Sequence, residues 1–209
     1  MGEILDALRW DAPVVGGLSL GGGMALGHAL AREDLRGLML LGSYGLMDRQ
    51  LGGRFAGAVH LMTWALLRTG ALDALTRLYL GQRRLMATSL SGLIRSEERR
   101  TDDLLDQVMD AGRLGTNMAA FAQWQRDQFG PSRLRTNYTP RLPDLGVPVL
   151  LIQGSRDTGV PVARARAAAD LIPDVHLVVV DNAGHWVQRD RPEVAITAML
   201  AFLADLAAR

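Results

Sequence analysis

Residues 17–22, Gly17-Leu18-Ser19-Leu20-Gly21-Gly22, decide how this chain is read. They stand between an apolar run, Ala12-Pro-Val-Val-Gly-Gly-Leu, that reads as a buried strand, and a stretch from Gly21 to Ala31 that reads as a helix. A serine at so sharp a strand-to-helix turn takes a strained backbone. Glycines two residues to either side let strand and helix approach closely. The hydroxyl then projects clear of the sheet, and the helix amino end behind it offers free N–H groups and a partial positive charge. Two plainer readings compete: a glycine-rich turn that only joins strand to helix, and a dinucleotide site. The dinucleotide fingerprint needs glycines at i, i+2 and i+5. No start within Gly16 to Gly23 satisfies it; Gly21 and Gly23, for example, are followed by Leu26.

Outward from this turn, a second apolar run, Leu38-Met-Leu-Leu-Gly, follows, and Pro148-Val-Leu-Leu-Ile-Gln-Gly and Val175 to Val180 come later. Runs without alternation read as parallel strands covered on both faces. Helices are expected before Trp10, from Pro161 to Ile172 and from Pro192 to about Ala207, the last two with a proline in the first turn. Between Asp48 and Pro140 helical periodicity takes over, in Phe55 to Leu67, Leu72 to Met86, Leu104 to Met109 and Met118 to Trp124. The pattern predicts an α/β fold with a mostly parallel, doubly wound sheet. Its core is 1–47 and 141–209, with 48–140 as a helical lid inserted through a Pro- and Gly-punctuated hinge, Leu142-Pro-Asp-Leu-Gly-Val-Pro.

Composition narrows the chemistry. The 209 residues are 48% hydrophobic and contain no cysteine, which excludes cysteine nucleophiles, thiolate metal sites and iron–sulfur clusters. Lysine is absent too, so every one of the 23 basic residues is arginine, and neither a P-loop lysine nor a Schiff base can form. With 22 acids the net charge is +1, which leaves no basic footprint for nucleic acid. Apolar stretches such as Val59 to Leu67 are too short for a bilayer, which takes about 20 residues. The opening Met1-Gly-Glu-Ile-Leu-Asp-Ala-Leu-Arg lacks the basic and apolar regions of a signal peptide. The expectation is a cytoplasmic protein that acts on a small-molecule substrate, with no cofactor, metal, nucleic acid or membrane partner.

A serine hydroxyl is a poor nucleophile until a base takes its proton. His185, in Asp181-Asn-Ala-Gly-His-Trp after the last strand, can hang over the carboxyl edge of the sheet, where open parallel sheets bind ligands. His28, His60 and His176 read as structural or exposed. A carboxylate must fix the imidazole tautomer, and Asp157 follows the third strand in Gly154-Ser-Arg-Asp-Thr-Gly-Val-Pro, 28 positions before His185. Asp48 is the alternative acid, and a helix-capping aspartate is the plain reading of Asp157.

These residues resemble the α/β-hydrolase family along nearly the whole chain: elbow, following strand, helical lid, acid loop, histidine loop and terminal helix. The resemblance implies Ser19, Asp157 and His185 as the catalytic triad, in the family's chain order. Gly184-His-Trp-Val-Gln is similar to the histidine loops of carbon–carbon-bond hydrolases, enol-lactonases and carboxylesterases. Epoxide hydrolases and haloalkane dehalogenases carry an aspartate at the elbow, so Ser19 argues against both. Family members place about four strands and an oxyanion loop ahead of the elbow. With the elbow at residue 19, those first strands are expected to be missing, and the Leu20 N–H is left as the oxyanion donor. The start is then misplaced, truncated, or completed by another chain. The unpaired apolar edge at Val14 and Val15 would favour a homodimer or such a complementing chain.

Acyl hydrolysis of a small ester, lactone or activated C–C bond is therefore the leading function. Trp64, Trp124 and Trp186 are candidate substrate-binding residues; Trp64 and Trp124 share with Met62, Leu67, Met118 and Phe121 a helical spacing that more often means internal packing than a pocket. A non-catalytic interaction or scaffold protein, and an acyltransferase using the same triad, are the alternatives.

Overall fold

A computed structural model describes residues 2–32, 34–47, 56–113 and 115–209. Helix α1 (Gly2–Leu8) leads into strand β1 (Val14–Leu18), helix α2 (Leu20–Ala29) and strand β2 (Gly37–Leu41). Five helices follow: α3 (Ala56–Thr69), α4 (Ala71–Leu80), α5 (Arg83–Leu93), α6 (Asp102–Arg113) and α7 (Gly115–Gln128). The chain then returns through β3 (Val149–Gly154), α8 (Val162–Ala169), β4 (Val175–Val180), the single turn α9 (Val187–Asp190) and α10 (Pro192–Ala208). The expected run from Leu72 to Met86 is thus two helices, because Gly81 and Gln82 break it between α4 and α5. Phe55, the alternative acid Asp48 and the Met118 side chain lie outside the described residues.

The sheet runs β1-β2-β3-β4, every pair parallel, with Leu18 beside Leu41, Leu41 beside Ile152 and Ile152 beside Val178. Every residue of β3 is buried, as an unalternating central strand requires. Alternate residues supply two cores. Leu38, Leu40, Val149 and Leu151 pack with Ala25, Leu26 and Ala29 of α2 and Ala168 of α8. Leu41, Leu150, Ile152 and Val180 pack with Val187 of α9 and with Ala195, Phe202 and Leu206 of α10. Helices on both faces make the sheet doubly wound.

The Ser19 N–H donates to the Leu41 carbonyl at 2.9 Å and the Pro13 carbonyl accepts from Arg36 at 3.1 Å, so the odd positions of β1 face β2. Val14, Gly16 and Leu18 therefore direct their backbone groups to the open edge. This corrects the expectation for Val15, whose side chain is buried in the α2 core.

The contacts divide into two units. One comprises 1–47, 93–95 and 137–209 and holds the sheet; the other comprises 48–92 and 96–136 and holds the helices of the excursion. Leu93–Arg95 and 137–140, read from sequence as lid, belong to the sheet unit.

Candidate active site

Ser19 sits at φ 53°, ψ −117°, a conformation rare for a residue with a side chain. Three hydrogen bonds hold it there. Its N–H donates to Leu41, and its carbonyl accepts from the N–H groups of Gly23 at 3.0 Å and Tyr44 at 2.9 Å. The close approach expected at the flanking glycines is real but asymmetric. A Cβ on Gly17 would fall 2.3 Å from the Gly21 carbonyl carbon, and one on Gly22 would fall 2.7 Å from Ser43 Oγ, whereas one on Gly21 would meet nothing within 4 Å. Helix α2 and β1 meet through Gly17 and Gly22, and Gly21 contributes only bare backbone. Burial pushes the Tyr44 phenol up to about 12, so it stays protonated beside the turn.

Leu20, the first residue of α2, has no intrahelical acceptor for its N–H, which leaves that group available at the positive end of the helix.

Asp157 and His185 meet. His185 Nδ1 lies 2.8 Å from Asp157 Oδ2, both side chains almost wholly buried. The same Oδ2 accepts from Gln153 Nε2 at 2.7 Å, and Oδ1 accepts from the N–H groups of Gly159 at 2.7 Å and Val160 at 2.9 Å. A carboxylate ringed by donors acts as acceptor toward the ring as well, so Nδ1 carries the proton and Nε2 is left to accept one.

Ser19, Asp157 and His185 each follow the carboxyl end of a strand, β1, β3 and β4. Gly42, after β2, joins them. Its φ is +46°, and a Cβ there would stand 3.1 Å from both Asp157 Oδ2 and His185 Nδ1. Leu41 carries the backbone bond to Ser19, so the chain at Leu41–Gly42 touches the serine turn on one side and the His–Asp pair on the other.

The remaining histidines stand elsewhere. His28 is in the last turn of α2. His60 is buried in the helical unit, with Nε2 3.0 Å from the Gly130 carbonyl and its ring stacked on Phe129. His176 is the second residue of β4 and lies 4.0 Å from Asp205.

Of the three nominated tryptophans, Trp186 adjoins His185. Trp64 and Trp124 belong to the helical unit, where the Arg68 guanidinium lies 5.9 Å from the Trp64 ring centroid and Phe121 stacks on Trp124 at 5.5 Å. An apolar groove of about 490 Å³ in that unit is lined by Leu72, Leu75, Leu78, Tyr79 and Leu85 instead. Sequence reasoning missed Gly42, Gln153 and Asp190. Gln153 was legible as the one polar residue of a buried apolar strand, and such a residue needs a partner. Among the described residues no cluster of His, Cys, Asp or Glu side chains could hold a metal ion, and no helix is long and apolar enough to cross a membrane.

A doubly wound parallel sheet with a strained serine turn and a buried His–Asp pair at one edge defines an α/β class built around a nucleophile elbow. The chain belongs to the alpha/beta hydrolase family, whose model matches residues 2–198. It is 26% identical over 210 residues to the 2-hydroxy-6-oxo-6-(2'-aminophenyl)hexa-2,4-dienoic acid hydrolase of Metapseudomonas resinovorans, matching 97% of this chain and 63% of that one. It is 38% identical over 66 residues to epoxide hydrolase A of Mycobacterium tuberculosis, a match to 31% of this chain and 20% of that one. Among solved structures, a serine hydrolase involved in carbazole degradation superposes with a TM-score of 0.71 at 22% identity, over 97% of this chain and 68% of that one. A thermophilic esterase from Thermogutta terrifontis gives 0.67 at 22% identity, over 97% and 69%. The chain thus spans less than two thirds of the curated relatives described here.

Proposed function

We propose that the chain is the catalytic core of a serine hydrolase, acting on a small ester, lactone or activated C–C bond through an acyl-enzyme on Ser19. The observation that carries this reading is the 2.8 Å Nδ1–Oδ2 pair of His185 and Asp157, at the same sheet edge as a serine with φ 53°. In the first step Ser19 Oγ bonds to the substrate carbonyl carbon while its proton passes to His185 Nε2. Asp157 stabilises the imidazolium, and the Leu20 N–H donates to the developing oxyanion. The proton then goes to the leaving group as its bond to the carbonyl breaks. Water repeats the sequence on the acyl-enzyme, losing its proton to His185 and releasing the acid and free Ser19.

The relative named as a hydrolase of a 2-hydroxy-6-oxo dienoic acid supports keeping an activated ketone in this substrate set. The helical unit is assigned the role of lid and Trp186, the chain neighbour of His185, a place against the substrate, and the compartment is proposed to be the cytoplasm. An acyltransferase would differ only in the acceptor that replaces water. The open backbone groups of β1 favour a second reading, in which the chain is a non-catalytic interaction or scaffold protein.

A fluorophosphonate probe separates the readings. Labelling at Ser19, abolished in Ser19→Ala, is the expected result; an unlabelled wild type, or labelling that persists at another serine, overturns the hydrolase assignment.

A further inference from the structure

Leu93–Arg95 interrupts the helical excursion yet belongs to the sheet unit. Ile94 is fully buried and anchors it. On either side of it the strap is bonded to the histidine loop. The Leu93 carbonyl accepts the Trp186 N–H at 2.9 Å, and the Arg95 N–H donates to Asp190 Oδ2 at 2.7 Å. The same Oδ2 accepts the Gly184 N–H at 2.7 Å. Gly184 and Trp186 are the two chain neighbours of His185, so one is held through a carboxylate and the other directly by the strap. Arg95 also reaches the acid loop: its Nη2 donates to the Arg156 carbonyl at 2.9 Å, and the Arg156 N–H donates to Ala183 at 2.9 Å. Arg156 precedes Asp157. Leu93 and Arg95, on either side of the buried Ile94, thereby bond neighbours of both members of the His–Asp pair.

Asp190 is 1% exposed. A buried carboxylate is costly unless hydrogen bonds compensate it, and it fixes whatever backbone supplies them. These two donors come from segments far apart in sequence, six and 95 positions away, so it does more than cap its own turn.

We propose that Asp190 and the Leu93–Arg95 strap are positioning residues for the Asp157–His185 pair. They act through the backbone of the two loops and touch no reacting atom. The proposal rests on the hydrolase reading for its effect on rate, but its geometry can be tested without it. A ring carried on an unfastened loop loses the alignment of Nε2 with Ser19, and misplacement by about 1 Å can cost about 10²-fold in rate.

The experiment compares wild type, Asp190→Ala, Asp190→Asn and Arg95→Ala by three measurements: the rate of fluorophosphonate labelling at Ser19, the downfield proton resonance of His185 Nδ1–H, and melting followed by circular dichroism. Asp190→Ala should slow labelling by up to about 10²-fold and shift or broaden the resonance while the chain is still folded. Asp190→Asn keeps an acceptor oxygen for Gly184 and Arg95 and should restore most of both. Arg95→Ala removes only the guanidinium bond to Arg156 and should give a smaller loss of the same kind. If Asp190→Ala does not fold, Arg95→Ala carries the test. An unperturbed resonance together with an unchanged labelling rate in the folded variant overturns the proposal. A wild type that is never labelled overturns the hydrolase reading, and the resonance alone then decides the positioning.

Discussion

Gly17 and Gly21 flank Ser19 symmetrically in sequence and asymmetrically in space, and opposite stability effects follow. Gly17→Ala drives a methyl group into the Gly21 backbone and should cost about 1–3 kcal/mol, the range for overpacking where neither side can yield. Gly21→Ala places its methyl in open space inside α2 and should gain up to about 1 kcal/mol, since alanine is the better helix former. Denaturant unfolding of the two variants checks the sign of each. Under the proposed hydrolase reading, Asp157→Asn keeps the shape but offers an NH₂ where His185 Nδ1–H needs an acceptor. The ring then adopts the wrong tautomer, and in such triads the loss is about 10⁴-fold in kcat. Turnover of a p-nitrophenyl ester should fall accordingly, and the melting temperature should fall as well, because the same NH₂ faces the buried Gln153 Nε2 donor. Near-normal rates in Asp157→Asn would send the search for the acid elsewhere.

At the scale of elements, the four strands were legible because parallel strands covered on both faces leave unalternating apolar runs, and β4 occupies Val175–Val180 as read. The serine turn and the two loops were legible through residue type and order. What escaped depends on tertiary bonds with no local pattern: the Gly42 backbone against Asp157 and His185, the four-residue α9, and a strap whose partners lie up to 95 positions away. The α4–α5 break escaped because apolar spacing continues across Gly81 and Gln82. Helix α10 is anchored in a way its apolar pattern did not announce. Arg209 pairs with Asp174, in the turn before β4, and with Asp205 one turn back. The guanidinium hydrogen bond holds the Asp174 carboxyl below its usual value. A carboxyl depressed in the folded state stabilises it above the unfolded value, and that contribution disappears as pH falls through the folded one. Asp174→Asn should therefore lower the melting temperature slightly at neutral pH, less at high salt because both partners are substantially exposed, and not at all once Asp174 is protonated. A deficit that persists unchanged in acid and in salt would show that Asp174 acts through something other than its charge.

For the whole molecule, the question is what meets the side of the sheet where β1 lies. Ala195, Phe202 and Leu206 of α10 face the sheet, and Asp205 on one flank reaches His176 of β4. The opposite flank carries Ile196, Leu200 and Leu203 at i, i+4 and i+7, exposed by 53%, 61% and 41%. That apolar stripe therefore points away from β4, toward the β1 side, where Val14, Gly16 and Leu18 turn unpaired backbone groups outward. An apolar helix flank beside an open strand edge is the combination that recruits another strand. An added polypeptide carrying an apolar strand is therefore expected to bind there and to raise the melting temperature. Leu200→Asp places a charge in the exposed stripe and should weaken that binding while leaving the His185 Nδ1–H resonance unchanged. A melting temperature that is the same with and without the added strand would show that this edge takes no such partner.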